Sequence, residues 1–331
     1  MKESDIRPAN IHNEYLRLSA LDTQSYFSGS IREVIPCVAC GQAKVNWTFD
    51  KNGFGYVVCT ECHSLFQSPR PTRDEFKHFY EDSASSRYWA QYFFPAVVEK
   101  RRELIFKPRA AAISELCLKK NIRADGTVVD VGAGHGIFLE EWRRLHPMAH
   151  LRAVEPSREM AQVCRSKSIE VLETIAEEAR AFDDCADLLV CFEVIEHVYQ
   201  PVEFLKALWK LVKPGGYAIV SGLGGDGYDI QVLWENSKSV SPPHHINFLS
   251  IEGFEKAFRS AGFSNPEILT PGKLDVDIVF NSTREKPEIL EGKNFEKVLF
   301  RRGPKAMQLF QEFLASHQMS SHTWVVAQRP K

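Results

Sequence analysis

The 331 residues carry 41 Lys+Arg against 43 Asp+Glu, a formal net charge of −2, with 44% hydrophobic and 25% charged residues. That make-up fits a soluble globular chain of about two domains, at roughly 100–200 residues each. It lacks the basic excess that drives phosphate-backbone binding, which disfavours nucleic acid as a partner, and no stretch approaches the ~20 consecutive apolar residues of a membrane span.

Met1 to Ala20 is polar and has no apolar core of the kind a secretory signal needs. Ile11, Tyr15, Leu18 and Leu21 recur at helical spacing, so a short amphipathic helix is expected to open the chain and pack on the body. The eight cysteines divide into two tight pairs, Cys37/Cys40 and Cys59/Cys62, and four singles, Cys117, Cys164, Cys185 and Cys191. This distribution suits a metal site plus buried thiols, hence a reducing compartment and a cytoplasmic location.

The two Cys-x-x-Cys turns have the separation of a zinc ribbon. Two thiolates from one tight turn reach the same tetrahedral ion, and four of them leave no open position, so the zinc is expected to be structural. A redox dithiol is the competing reading. Trp47, Phe49, Phe54, Tyr56 and Val58 suit short strands between the knuckles. Pro69-Arg-Pro71 reads as an extended linker, and Thr72 with Glu75 as a capping box opening a helix. The aromatic run from Tyr80 to Phe94 reads as core packing, or else as a lid over a flat or sugar-like ligand. Pro95 and Pro108 are expected to break the helical segments up to Lys120.

From Thr127 onward strands and helices alternate. Strands are expected at Thr127–Val131, Leu151–Val154, Ile169–Leu172, Leu188–Phe192 and Tyr217–Val220, with helices at Ile137–Leu145, Ser157–Ser166 and Pro201–Val212. A further helix is expected at Ile251–Ala261, strands near Glu267–Thr270 and His322–Gln328, and a helical insertion near Phe295–Ser316. The series is βαβ, so the fold class is α/β: a Rossmann-like sheet covered by helices on both faces and preceded by the small ribbon. The expected divisions are an N-terminal extension at 1–36, the ribbon at 37–71, a helical linker or lid at 72–120, and the α/β domain at 121–331 with substrate-loop insertions at about 223–248 and 271–320.

Val128-Val-Asp130-Val-Gly132-Ala-Gly134-His-Gly136 runs from a buried strand through glycines into a helix, where a ligand can approach the backbone. The dinucleotide fingerprint would need glycine at 137, which is Ile. Glu155 ends the next strand, where a carboxylate can accept ribose hydroxyls. This combination resembles the class I S-adenosylmethionine-dependent methyltransferases. Asp187-Leu-Leu-Val-Cys-Phe192-Glu193-Val-Ile-Glu196-His197 looks like the family's fourth-strand segment, and Leu211-Val-Lys-Pro214-Gly215-Gly216-Tyr like its turn into the fifth strand. The resemblance implies S-adenosylmethionine as cofactor, bound by Asp130, Gly132, Gly134, Gly136, Glu155 and Phe192, and a strand order of 3-2-1-4-5-7-6 with the seventh strand antiparallel. The two knuckles, Pro-Arg-Pro and the aromatic segment are similar to a zinc-ribbon subgroup of sugar and surface-polysaccharide methyltransferases. That subgroup implies a nucleotide-linked sugar as acceptor.

Two places offer a base for the acceptor. Pro242-Pro243-His244-His245 sets two imidazoles just before a helix, and their neutral-range titration suits the task. Neighbours on extended backbone point opposite ways, so one of the pair is expected to reach substrate, with His245 favoured. The second is Glu193-x-x-Glu196-His197. As a helical turn it would share one face and could hold a magnesium ion, as a similar segment is thought to do in ubiquinone-pathway O-methyltransferases; its bland reading has Glu193 lining the cofactor and Glu196 and His197 steadying the turn. Lys273, Asp275 and Asp277 read as a solvated charge pattern or a post-strand segment of the subgroup. An RNA methyltransferase with the ribbon as nucleic-acid grip and a non-catalytic cofactor-binding scaffold are the rival readings. Whether oxygen, nitrogen or carbon receives the methyl group is open.

Overall fold

The computed structural model describes residues 1–331. Its eleven strands are β1 (Val45–Lys51), β2 (Phe54–Cys59), β3 (Leu65–Gln67), β4 (Thr127–Val131), β5 (His150–Val154) and β6 (Glu170–Leu172), followed by β7 (Ala186–Phe192), β8 (Val212–Leu223), β9 (Asn247–Phe248), β10 (Ser264–Leu269) and β11 (His322–Gln328). They form a four-stranded sheet of order β1-β2-β3-β9 and a seven-stranded sheet of order β10-β11-β8-β7-β4-β5-β6.

The chain divides into two compact units that interleave along the sequence. One holds Met1–Val98, Leu223–Gly253 and Leu269–Thr323; the other holds Glu99–Gly222, Phe254–Ile268 and Trp324–Lys331. The stretches expected as insertions in the α/β domain therefore fold with the N-terminal residues. The expected extension, ribbon and first part of the linker share that unit, whereas the helix Lys107–Lys120 joins the large sheet by burying Ala110, Ile113 and Cys117.

In the sheet unit β4, β5, β6, β7 and β8 run parallel. The central strands β4 and β7 are mostly apolar and buried, as strands covered on both faces require. Gly215 N donates to Arg329 O at 2.9 Å and Arg329 N to Gly216 O at 3.0 Å, while Gly224 N donates to Ser321 O at 2.6 Å. Rising numbers on β8 thus meet falling numbers on β11, which is antiparallel. Counted from its own first strand the sheet is 3-2-1-4-5-7-6, as expected. The helix Ile137–Leu145 buries Ile137, Phe138, Leu139 and Trp142. The helix Arg158–Ser166 is N-capped by Ser157, whose Oγ accepts from Met160 N at 3.4 Å.

The other unit contains the antiparallel ribbon, with β1 on β2, β2 on β3 and β3 on β9. The capping box forms: Thr72 Oγ1 accepts from Glu75 N at 3.4 Å and Glu75 accepts from Thr72 N at 2.8 Å. Four local expectations are corrected. The first long helix, Ala9–Phe27, buries His12, Tyr15, Ser19, Asp22, Thr23 and Phe27 and leaves Leu21 exposed. Its polar inner face is satisfied: Ser19 and Thr23 hydroxyls donate to carbonyls one turn back, and Asp22 accepts from Ala84 N and Ser85 N, over sixty residues away, at 3.3 and 2.8 Å. Pro95 and Pro108 do not break the helix; both lie within the first two residues of their α-helical segments, after π-helical stretches Trp89–Phe93 and Arg102–Phe106 that absorb the missing donors. The expected helix near Phe295–Ser316 is two, Asn294–Arg302 and Pro304–Ser316, hinged at Gly303 with φ +82°. Asp275 and Asp277 are not a solvated pattern. They open the helix Asp275–Glu285, where Asp275 is buried and accepts from Ser321 N at 2.7 Å, and Asp277 accepts from Glu3 N at 2.7 Å.

Candidate cofactor site and metal centre

Asp130, Glu155 and Phe192 stand at the carboxyl ends of β4 and β7 and just after β5, three adjacent strands at the point where strand order reverses. Open α/β sheets bind their ligands at this place. The turn after β4 needs glycine. Gly132 and Gly136 have φ of +73° and +67°, and a Cβ there would stand 2.6 Å from Val194 and 2.9 Å from Cys164. At Gly134 a Cβ would meet nothing nearer than Met160 at 4.0 Å, so a ligand has room against the backbone. Glu155 fixes the loop: its carboxylate accepts from Gly134 N at 2.7 Å and Ser157 N at 2.9 Å.

Burial governs the electrostatics of these carboxyls. It raises Asp130 to about 8, with the nearby Glu155 adding to the rise and Arg109 opposing it. It also raises Glu155, against the pull of the two amide donors. Glu196 lies well above the usual carboxylate range because it is buried and faces Glu193, and its Oε2 is an orphan among the protein's own hydrogen bonds. A site with buried carboxyls in excess of cations fits a sulfonium ligand. The donors present thus fit S-adenosylmethionine: Asp130 and the Gly132–Gly136 turn would face its amino-acid portion, and Glu155 its ribose.

The segment Glu193–His197 is not a helical turn. Glu193 has φ +56°, in the left-handed region, so Glu193, Glu196 and His197 do not share a helix face. Instead Glu193 Oε1 accepts from Ser221 Oγ at 2.6 Å and lies 3.5 Å from a guanidinium nitrogen of Arg109. Arg109 is buried, with its charge over the Phe192 ring at 4.4 Å. Burial lowers its pKa while Glu193, Asp130 and Glu196 resist the fall. Neither Arg109 nor Ser221 emerged from the sequence reading. The available signal was an arginine on the apolar stripe Arg109-Ile113-Cys117 of a helix, where a charge needs a partner.

The two histidines occupy different surroundings. His244 is buried, its Nε2 2.8 Å from Ser85 Oγ and its ring 5.2, 4.9 and 5.8 Å from those of Tyr15, Phe79 and Tyr80. His245 is half-buried, with Nδ1 2.6 Å from the Ser239 carbonyl and 3.2 Å from Ser241 Oγ. A carbonyl only accepts, so Nδ1 carries a hydrogen.

Cys37, Cys40, Cys59 and Cys62 converge within 4.8 Å of one another, with Sγ···Sγ distances of 3.5 Å for Cys37–Cys62 and 3.6 Å for Cys40–Cys59. Four thiolates at about 2.3 Å from a tetrahedral ion stand about 3.8 Å apart, so the set fits zinc. Each turn is followed by a left-handed residue, Gly41 at φ +76° and His63 at φ +60°, and Glu61 N donates to Cys59 Sγ at 3.4 Å.

Residues 98–268, just over half of the chain, match the family described as a methyltransferase domain. The chain belongs to this methyltransferase family. Ubiquinone biosynthesis O-methyltransferase of Serratia proteamaculans is 35% identical over 104 residues, 29% of this chain and 42% of that protein. Its counterpart in Paraburkholderia phytofirmans is 37% identical over 107 residues, 30% of this chain and 45% of that one. The chain thus spans less than half the length of these curated relatives. The phosphoethanolamine N-methyltransferase 2 of Haemonchus contortus, solved with S-adenosyl-L-methionine, superposes with a TM-score of 0.50 at 15% identity, over 81% of this chain and 63% of that one, a likeness of fold. No helix of this methyltransferase-family chain is long and apolar enough to cross a membrane.

Proposed function

We propose that the protein catalyses S-adenosylmethionine-dependent methyl transfer to a small-molecule acceptor, most specifically a nucleotide-linked sugar of cell-surface carbohydrate synthesis. The observation that carries the reaction class is the open glycine turn after β4, pinned through Gly134 N to Glu155. The acceptor rests on the two knuckles, Pro-Arg-Pro and aromatic segment shared with the sugar-modifying subgroup.

The bound cofactor supplies an electrophilic methyl carbon with a neutral thioether as leaving group. The protein then has two tasks, orientation and proton removal. Asp130, the Gly132–Gly136 turn, Glu155 and Phe192 would hold the cofactor, Arg109 and Ser221 orient Glu193, and His245 accepts the proton of an acceptor hydroxyl. His244 is a positioning residue, clamped by Ser85 and three aromatic rings. The four cysteines hold a structural zinc.

A second reading, methylation of a phenolic hydroxyl of a quinone precursor, is favoured by the names of the relatives at 35–37% identity. Release of S-adenosylhomocysteine across a panel of nucleotide sugars, catechol quinone precursors and bulk RNA separates the readings. Turnover on a nucleotide sugar supports the first; turnover on catechols alone replaces it with the second. Turnover on RNA alone would make the ribbon a nucleic-acid grip. Cofactor binding without turnover on any acceptor class would favour a scaffold.

A further inference from the structure

The helices Asn294–Arg302 and Pro304–Ser316 press one face onto a core that includes Val276, Val279, Leu299 and Leu314, with Phe300, Met307 and Phe310 packed against it. Helices that have buried one face in this way normally offer water a polar one. These do not. Phe295, Val298, Leu309 and Phe313 are 56%, 43%, 52% and 45% exposed. They are contiguous: the Phe295 ring lies 5.2 Å from that of Phe310, which is 6.1 Å from that of Phe313. Leu309 sits one turn before Phe313, and Val298 one turn after Phe295. Single exposed apolar side chains are ordinary, but a joined patch marks an interaction surface.

The charge around the patch identifies what it meets. Between Lys293 and Ser316 stand Lys293, Lys297, Arg301, Arg302 and Lys305 against Glu296 and Glu312, a local net charge of +3 in a chain whose total is −2. We propose that this helical hairpin docks the protein on an anionic lipid bilayer, with Phe295, Val298, Leu309 and Phe313 in the interfacial layer and Lys297, Arg301, Arg302 and Lys305 on lipid phosphates. Amphipathic helices with aromatic and Leu side chains on one side and Lys and Arg beside them bind membranes in this way. A second copy of the chain fits less well, because a two-fold contact through this patch would set the same cations against one another. The docking is peripheral, since no helix can span. It is independent of the acceptor.

The test is flotation of the full chain with phosphatidylcholine vesicles, with and without phosphatidylglycerol. The protein should rise only with the anionic vesicles, and less as ionic strength increases from ~0.05 to ~0.5 M. The variant Arg301→Glu/Lys305→Glu, at two exposed positions, should cut the bound fraction about tenfold or more, as should Phe295→Ser/Phe313→Ser. Both should bind cofactor in solution like the parent. No flotation by the parent, or flotation that both variants retain, overturns the proposal. So does a parent dimer that Phe295→Ser/Phe313→Ser splits while neither floats, which would assign the patch to a second copy.

Discussion

The two units solve the problem of placing functional groups in opposite ways. In the sheet unit, Asp130, Glu155, Phe192 and Glu193 come from the ends of neighbouring strands, so strand order brings their backbones together. In the other unit the functional groups are drawn from distant stretches of chain: His244 is caged by Tyr15, Phe79, Tyr80 and Ser85. A site made by topology tolerates changes in its surroundings. One made by assembly depends on each supplier.

The largest effect should come from removing the proposed zinc. Cys37→Ser, or chelation of the about one zinc per chain expected by elemental analysis, withdraws on the order of 10 kcal/mol of binding energy from the ribbon. Hydrogen exchange should then accelerate across residues 37–67 while β4, β5 and β7 keep their protection. Loss of protection in both units alike would abolish the contrast between them.

Within the sheet unit, Arg109→Met should destabilise the fold by about 3–5 kcal/mol, as deletion of one partner of a buried ion pair does. Denaturant melts would measure it, and Arg109→Lys should recover part of the loss. Stability equal to the parent's would mean that Glu193 and Glu196 do not depend on this cation. Glu155→Ala removes the acceptor of two amide hydrogen bonds and should weaken cofactor binding by about 2–4 kcal/mol, read by calorimetry.

Asp130 gives the contrast a pH dependence. Its carboxyl is raised to about 8 in the folded protein, above the ordinary unfolded value near 4. The native state therefore keeps a proton that the unfolded chain surrenders, so the group's contribution is full below about pH 4 and is lost as pH rises towards 8. A cation bound beside it selects the ionised form. Cofactor affinity should accordingly climb with pH, by up to about tenfold per unit below 8, and level off above. Asp130→Asn should flatten the profile; a profile unchanged in that variant would sink the assignment. The smallest effect belongs to helix capping: Ser157→Ala should cost about 1 kcal/mol in thermal unfolding.

The same contrast explains what the sequence made legible. The strand Thr127–Val131, with its composition fixed by burial, could be placed to the residue, whereas Tyr217–Val220 proved to be the middle of the longer Val212–Leu223. The cysteine knuckles were readable because metal chemistry dictates spacing. Arg109 was hidden because its partner, Glu193, lies 84 positions away and is turned towards it by a left-handed backbone that no local pattern announces. The polar inner face of Ala9–Phe27 was misread for a related reason. Ser19, Thr23 and Asp22 look like solvent residues until the carbonyls and amides that satisfy them are in place.

The pairing of β3 with β9 bears on how the protein is made. Leu65 and Phe66 complete their ladder only with Phe248 and Asn247, some 180 residues further along the chain. At about 5–20 residues per second, a ribosome needs on the order of 10–40 s to supply that partner. Throughout that interval the ribbon presents an unpaired strand edge, Leu65-Phe66-Gln67, to nascent chains nearby. The strand that closes the ribbon is made long after β3, so this edge must wait unpaired or be shielded by something else.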